Sequence, residues 1–297
     1  MKSLIRTLAL GGALLGCTAA MAQESGTLAK IAQAKAITIG HRDTSIPFSY
    51  VTGTGGVPIG YAMDICMKVV DAVKQKLNLP DLQIKYQTVT SQNRIPLVQN
   101  GTVDLECGST TNSMERQKQV AFGPNYIMVG VSAAVKKSSG INSFADLAGK
   151  TIATTTGTTS IPLLRAYRKA DNVDVKEIYG KDHADSFLLL EADRASAFVM
   201  DDVLLAGQIA AATRPGDYKI LPEVLRQEPY GIMLRKDDPQ FKALVDETVK
   251  GLMQSGEIET LYAKWFTSPI PPRGVNLNFP MTSATRELYR NPTDKGI

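Results

Sequence analysis

The stretch "KTIATTTGTTSIPLLRAYRKA" (150–170) decides the fold. Its first part, up to Gly157, reads as a strand. The remainder, "TTSIPLLRAYRKA", reads as a helix. Pro162 falls in the first helical turn, where proline is tolerated. That turn is expected to make no polar side-chain contact. A strand running into a helix across a glycine turn is one unit of an α/β fold.

The unit recurs on both sides. Downstream, "VDVKEIYG" (173–180) and "RASAFVMD" (194–201) are strands. Each runs into a helix, "HADSFLLLEA" (183–192) and "DVLLAGQIAAA" (202–212). Upstream, "AITIG" (36–40) precedes "GYAMDICMKVVDAVKQKL" (60–77), where Ile65, Val69, Val70 and Val73 lie at helical spacing. "LQIKYQTV" (82–89) alternates like a strand, and "SQNRIPLVQNG" (91–101) is a short helix ending at a glycine. "TVDLECG" (102–108) is a strand. "TNSMERQKQV" (111–120) opens a helix, with Asn112 three residues before Glu115 as a capping box. Two blocks result, 36–125 and 150–212. Such alternation predicts parallel sheets covered by helices on both faces. Residues 238–266 are helical again. The proline-rich "SPIPPRGVNLNFP" (268–280) is expected to pack as an extended segment. No short tandem repeat is present.

The N-terminus reads as a cleaved leader. Lys2 and Arg6 precede the apolar run "TLALGGALLGCTAA", and Ala20-Met21-Ala22 precedes Gln23. This makes 1–22 a removed signal peptide. "LLGC" (14–17) is the competing pattern, a lipid anchor at Cys17, which Leu15 fits poorly. Loss of Lys2 and Arg6 takes the net charge from +4 to +2. So small a charge argues against a nucleic-acid-binding face. No later run is long and apolar enough to span a bilayer. Cys66 and Cys107 remain after cleavage. In an oxidising compartment they can pair, or stay two buried thiols.

Open α/β sheets bind ligands beyond the carboxyl ends of their strands. The residues there are Arg42, Ser91, Gly108-Ser109-Thr110-Thr111, Gly157-Thr158-Thr159, His183 and Asp201. They are polar and of both charges, and no acid–base pair stands at an obvious catalytic spacing.

Several long motifs resemble a known family. "GYAMDICMKVVDAV", "ECGSTTNSMERQKQVAFGPNY", "TTTGTTS", "AFVMDD", "YGIMLRKDD" and "GEIETLYAKWF" are similar to the solute-binding proteins of polar amino-acid ABC importers (family 3). "GHRDTSIPFSY", "SQNRIPLVQNGTVDLECGSTTN", "GKDHADSF" and "WFTSPIPPRGVNLNFPM" resemble, more narrowly, the periplasmic glutamate/aspartate binders. The resemblance covers essentially the whole chain after the leader. It implies a type II periplasmic-binding-protein fold of two Rossmann-like lobes joined by two hinge strands. The first lobe would comprise 23–130 and 231–297, and the second 131–230. The crossings would lie near Val129–Ala134 and Glu228–Gly231. Function would be capture of L-glutamate or L-aspartate in the periplasm by a monomer, and delivery to permease subunits at the inner membrane. No cofactor and no metal is implied.

The resemblance also assigns roles. Arg116, in the "T-x-x-x-x-R" pattern, holds the α-carboxylate, as its planar fork suits. Thr158 and Thr159 add bonds from a helix N-terminus. Asp201 balances the α-ammonium, with Ser109 and the Gly108 carbonyl around it, while Asp202 caps the next helix; Thr111 is a further ligand-binding residue. Arg42 and Arg94 meet the side-chain carboxylate, helped by Ser91 and His183. Asp43 would orient Arg42 or cap its turn. Arg116, Arg42 and Arg94 against Asp201 leave a positive surplus, which suits a ligand with two carboxylates. Two other readings compete. The same fold carries periplasmic cyclohexadienyl dehydratases, for which His183 and Glu106 would be the only proton-transfer groups. A binder of glutamine or asparagine is the other. A sensor ectodomain is not supported, since no transmembrane helix or kinase follows. Intact-mass measurement of the exported protein is expected to give Gln23 as its first residue; a diacylated Cys17 would overturn both the cleavage site and the soluble assignment.

Overall fold

The computed structural model describes residues 26–53 and 55–297. The leader 1–22, its cleavage site before Gln23 and Cys17 lie outside them. The chain opens with α1 (Thr27–Ala34), β1 (Ala36–His41), a hairpin of β2 (Thr44–Ser45) and β3 (Ser49–Tyr50), and α2 (Tyr61–Leu77). Next come β4 (Gln83–Thr88), α3 (Arg94–Gln99), β5 (Leu105–Glu106), α4 (Met114–Gln117) and β6 (Val120–Phe122). β7 (Ile127–Lys136), β8 (Thr151–Thr155), α5 (Ser160–Asp171), β9 (Lys176–Gly180), α6 (His183–Glu191), β10 (Ala197–Asp201) and α7 (Asp202–Ala211) follow. β11 (Tyr218–Ile220), β12 (Arg226–Tyr230), β13 (Met233–Arg235), α8 (Pro239–Gln254) and α9 (Glu257–Phe266) lead to a hairpin of β14 (Pro269–Ile270) and β15 (Val275–Asn276), and to α10 (Ser283–Arg290).

Two sheets organise these elements. One has the order β4-β1-β5-β13-β6, the other β11-β7-β10-β8-β9 with β12 beside β7. β4, β1 and β5 run parallel, as do β9, β8 and β10. Both sheets are nevertheless mixed, which corrects the parallel-only expectation. β13 runs against β5 and β6, and β7 against β10, β11 and β12. The reversed strands are those by which the chain changes sheets. It leaves the first sheet after Phe122 and returns to it at Met233. The two passing strands pair, Ile127 with Tyr230 through Val131 with Arg226. An antiparallel ribbon needs no helical crossover, so helix–strand alternation does not announce it.

Local signals explain the elements near the site. α2 buries Ile65, Cys66, Val69, Val70 and Val73 on one face, each such side chain contributing about 1.5–3 kcal/mol. It stops at Asn78, in the left-handed region with its N–H turned back onto Lys74 and Gln75. The helix expected over 238–266 is two helices, broken where Gly256 takes φ 77°. The tail after Ser268 is extended as expected, but α10 follows it, anchored by Leu288 and Tyr289. The cap of α4 is Ser113, not Asn112: the Ser113 side chain accepts the Arg116 N–H. Asn112 instead donates to Asn125 Oδ1 and to the Asp294 carbonyl.

Cys66 and Cys107 form a disulfide, with Cα atoms 6.1 Å apart. It ties α2 to the residue just before Gly108. The closed loop spans a separation of 41 residues, and bridges of this kind stabilise by about 2–4 kcal/mol. Denaturant unfolding should therefore show that loss for Cys66→Ser combined with Cys107→Ser. A reductant should cost the wild type a similar amount and the double variant nothing; equal sensitivity of the two would mean the bridge does not form in solution.

Candidate functional site

Strand ends place the polar residues. Arg42 follows β1, Ser91 follows β4, and Gly108 to Thr111 follow β5, all at the carboxyl edge of the first sheet. Thr158 and Thr159 follow β8, His183 follows β9 and Asp201 ends β10, at the matching edge of the second. The two edges meet at Gly157. A Cβ there would come 2.7 Å from the Gln92 backbone, and φ is 80°, so only glycine fits.

Three guanidinium groups are buried in this seam. Arg42 is 1 % and Arg94 2 % exposed. Ser49 fixes Arg42 by accepting its N–H at 2.9 Å and donating its hydroxyl to the Arg42 carbonyl. Both terminal nitrogens of Arg42 lack a protein hydrogen-bond partner. Burial, and then the Arg94 charge, lower its pKa to about 10. Arg94 is the first residue of α3, one helix beyond the strand. It donates through Nη1 to the Ser109 carbonyl at 3.0 Å and to Thr110 Oγ1 at 2.5 Å. Arg116 donates to the carbonyls of Thr111, at 2.8 Å, and Gly157, at 3.4 Å. Burial and Arg94 bring its pKa to about 10 as well.

Carboxylates face them. Glu106 and Glu228 are fully buried and Asp201 is 1 % exposed. Glu106 Oε2 accepts from Thr110 at 2.6 Å while its Oε1 is unpartnered. That oxygen lies where a Cβ on residue 108 would fall, which accounts for Gly108. Asp201 takes the Tyr230 hydroxyl on Oδ2 and leaves Oδ1 free. The cap expected at Asp202 falls one residue earlier: Asp201 holds the N-cap position of α7 without a side-chain cap bond, and Asp202, the first helical residue, accepts the Gly130 N–H of β7 and the Val203 N–H. Burial raises its pKa to about 6.

Other expectations need amendment. Asp43 does not touch Arg42; it lies 3.4 Å from His41 Nδ1 and accepts from Thr88 Oγ1. Thr158 folds both its N–H and its hydroxyl back onto the Thr155 carbonyl, so its hydroxyl is already committed. Thr111 and Thr159 both donate their hydroxyls to Glu228. The Gly108 carbonyl accepts from Tyr126 Oη at 2.6 Å. His183 is buried with Nδ1 3.1 Å from Ser45 Oγ. Burial and the charges of Arg42 and Arg94 push its pKa well below the ordinary value, so it is neutral. Ser91 Oγ and Ser109 Oγ are buried and unpartnered. Seven of the ten such atoms among the described residues belong to residues singled out from sequence, which marks this seam as built for a polar guest. Sequence reading missed Glu228, Tyr230 and Arg226. The only hint was a charged residue on an inward-facing position of "RQEPY".

Burial, and then the Glu228 charge, hold the Asp201 carboxyl well above the usual carboxylate range. Its ionised form therefore burdens the fold. That cost is absent below the ordinary Asp value near 4 and grows as pH rises toward the folded value. Asp201→Asn keeps an acceptor for Tyr230 and removes the burden. Thermal melts of the unliganded variant should show a Tm above wild type at pH 7, by roughly 2–4 °C per kcal/mol relieved, with the margin shrinking toward pH 4. An equal margin at both pH values would contradict this account of Asp201.

Comparison with known proteins fits this geometry. Residues 37–268 match the family described as bacterial extracellular solute-binding proteins, family 3. An L-glutamate/L-aspartate-binding protein of Pseudomonas aeruginosa is 50 % identical over 99 % of this chain and 97 % of its own. A glutamate/aspartate import solute-binding protein of Escherichia coli K12 is 47 % identical over the same shares. Among solved structures, an ancestral amino acid-binding protein described as a precursor of cyclohexadienyl dehydratase superposes with a TM-score of 0.69 at 26 % identity, over 82 % of this chain and all of that one. The fold is that of the type II periplasmic binding proteins, and the chain belongs to the bacterial extracellular solute-binding proteins of family 3.

Proposed function

We propose that this protein binds L-glutamate and L-aspartate in the periplasm, as a monomer freed of residues 1–22, and delivers them to the permease subunits of an ABC importer. The observation that carries the reading is Arg42, a fully buried guanidinium with both terminal nitrogens unpartnered. Arg116 already provides one fork for the α-carboxylate. A second desolvated fork calls for a second carboxylate. Asp201 Oδ1 and Ser109 Oγ suit the ammonium, and Ser91 and His183 lie with Arg42 and Arg94 at the side-chain end.

Charge bookkeeping supports the same ligand class, though differently from the sequence count. Arg42, Arg94, Arg116 and the Glu228 partner Arg226 carry four positive charges. Glu106 and Glu228 oppose them, the Asp201 carboxyl is held well above the usual carboxylate range, and His183 is neutral. The surplus is positive. An acidic amino acid, with two carboxylates and one ammonium, offsets it. An amide such as glutamine leaves it buried and uncompensated. Two lobes, 23–130 with 231–297 and 131–230, would close over this ligand about the β7–β12 ribbon. An enzymatic role is disfavoured by His183, which is a poor proton acceptor beside two arginines, and the similar proteins are named as binding proteins.

Calorimetry with glutamate, aspartate and glutamine tests the assignment. Arg42→Met should weaken glutamate and aspartate about 100- to 1,000-fold, the cost of breaking a buried ion pair. Arg94 cannot fully substitute, because its Nη1 is held by Ser109 and Thr110. Glutamine should lose far less. Arg116→Met should weaken every amino acid alike. Equal losses of glutamate and glutamine in Arg42→Met would show that Arg42 does not read the second carboxylate.

A further inference from the structure

Glu228 is the one fully buried carboxylate on the strands that pass between the sheets, among the described residues. It lies in β12, opposite Val129 of β7. Its Oε2 accepts the hydroxyl of Thr111 at 2.6 Å and that of Thr159 at 2.7 Å. Thr111 belongs to the loop after β5 in the first sheet, and Thr159 to the turn after β8 in the second. Oε1 is held by Arg226, with Nε at 3.1 Å. One carboxylate oxygen thus gathers a group from each side of the seam. The two threonine oxygens stand 3.5 Å apart. Each hydroxyl has a single proton, and both are spent on Glu228. What remains on their outer faces is lone pairs.

We propose that Glu228 is a positioning residue for ligand capture: it draws Thr111 and Thr159 onto one oxygen when the two sheets close together, and so turns their lone pairs toward the ligand ammonium. The carboxylate of the ligand is left to Arg116, which donates to the Thr111 carbonyl in the same cluster. Glu228 would then link closure of the ribbon to the shape of the α-amino end. This rests on the amino-acid reading above but not on the choice of an acidic side chain. Asp202, on the same side, is bonded instead to the Gly130 and Val203 N–H groups.

The test is a mutant cycle read by calorimetry and stopped-flow release, with glutamate, aspartate and glutamine as probes. Glu228→Gln keeps the shape but cannot accept two hydroxyl protons at one charged oxygen. It should weaken all three probes by a similar factor, about 10- to 100-fold, mainly through faster release. In a Thr111→Val, Thr159→Val background the same change should cost less than about threefold, since its partners are gone. An unaltered Kd, a loss confined to the acidic probes, or an undiminished loss in the valine background would each overturn the proposal. Should Glu228→Gln fail to fold, Thr159→Val alone decides: roughly 3- to 10-fold weaker binding of every probe supports it, and wild-type binding overturns it. A wild type that binds glutamine but not glutamate would defeat the functional reading, yet the cycle could still be run with glutamine.

Discussion

A guanidinium held out of water is tolerable only beside an anion or when its donors find oxygen. Arg42 has no hydrogen-bond partner within the protein for its terminal nitrogens, and Glu106 and Asp182 offset its burial only in part. Much of the surrounding structure serves to keep it there. Ser49 clamps its backbone from both directions, through the tight hairpin of β2 and β3. The Cys66–Cys107 bridge fixes the loop whose next residue, Gly108, must lack a side chain to admit Glu106. The parallel strands β4, β1 and β5 then present Ser91, Arg42 and Ser109 from adjacent carboxyl ends, so a ligand meets a preassembled rim.

The acids show the same logic in reverse. Asp201, Asp202 and Glu228 crowd the ribbon side of the seam, and burial penalises the charged forms of Asp201 and Asp202. Tyr230 offsets part of this at Asp201, backbone N–H groups at Asp202, and Arg226 at Glu228. Asp201 Oδ1 is left without compensation. A stability-optimised core would not retain such an atom. Its persistence beside the unpartnered Arg42 and Ser109 makes sense only as a site whose favourable contacts arrive with a ligand.

Much of this was legible in the sequence, for reasons of range. β8, Gly157 and α5 follow from local periodicity and one glycine, and the same short-range pattern puts Arg42, Ser109, Thr159 and Asp201 at strand ends. Family motifs added the roles. What escaped depends on pairing across long separations. Glu228 meets Thr111 and Thr159, 117 and 69 positions away, and no spacing rule connects them. Local pattern did not reveal the reversed direction of β7 for the same reason; only the family resemblance pointed to crossings near Val129–Ala134 and Glu228–Gly231. The Asn112 cap failed by one residue, because Ser113 was equally able to cap and Asn112 was needed by Asn125 and Asp294.

The placement of charge along the chain carries the argument further. All three buried arginines of the site, Arg42, Arg94 and Arg116, arise from the first sheet, with the buried Glu106 beside them. Asp201 and Glu228 arise from β10 and β12 of the second, with Arg226 beside them. The first side is therefore net positive, and the second supplies the acids. An anion entering between them is drawn first to the arginine side. Only the opposite side offers an acid to its ammonium. For a ligand that carries both charges, closing the seam then satisfies groups that neither side can satisfy alone. A simple dicarboxylate without the ammonium would be attracted to the same arginines and still leave Asp201 Oδ1 buried and unpaired. On the proposed reading, selection for an amino acid over a plain diacid would fall to the second sheet, and selection for the acidic side chain to the first.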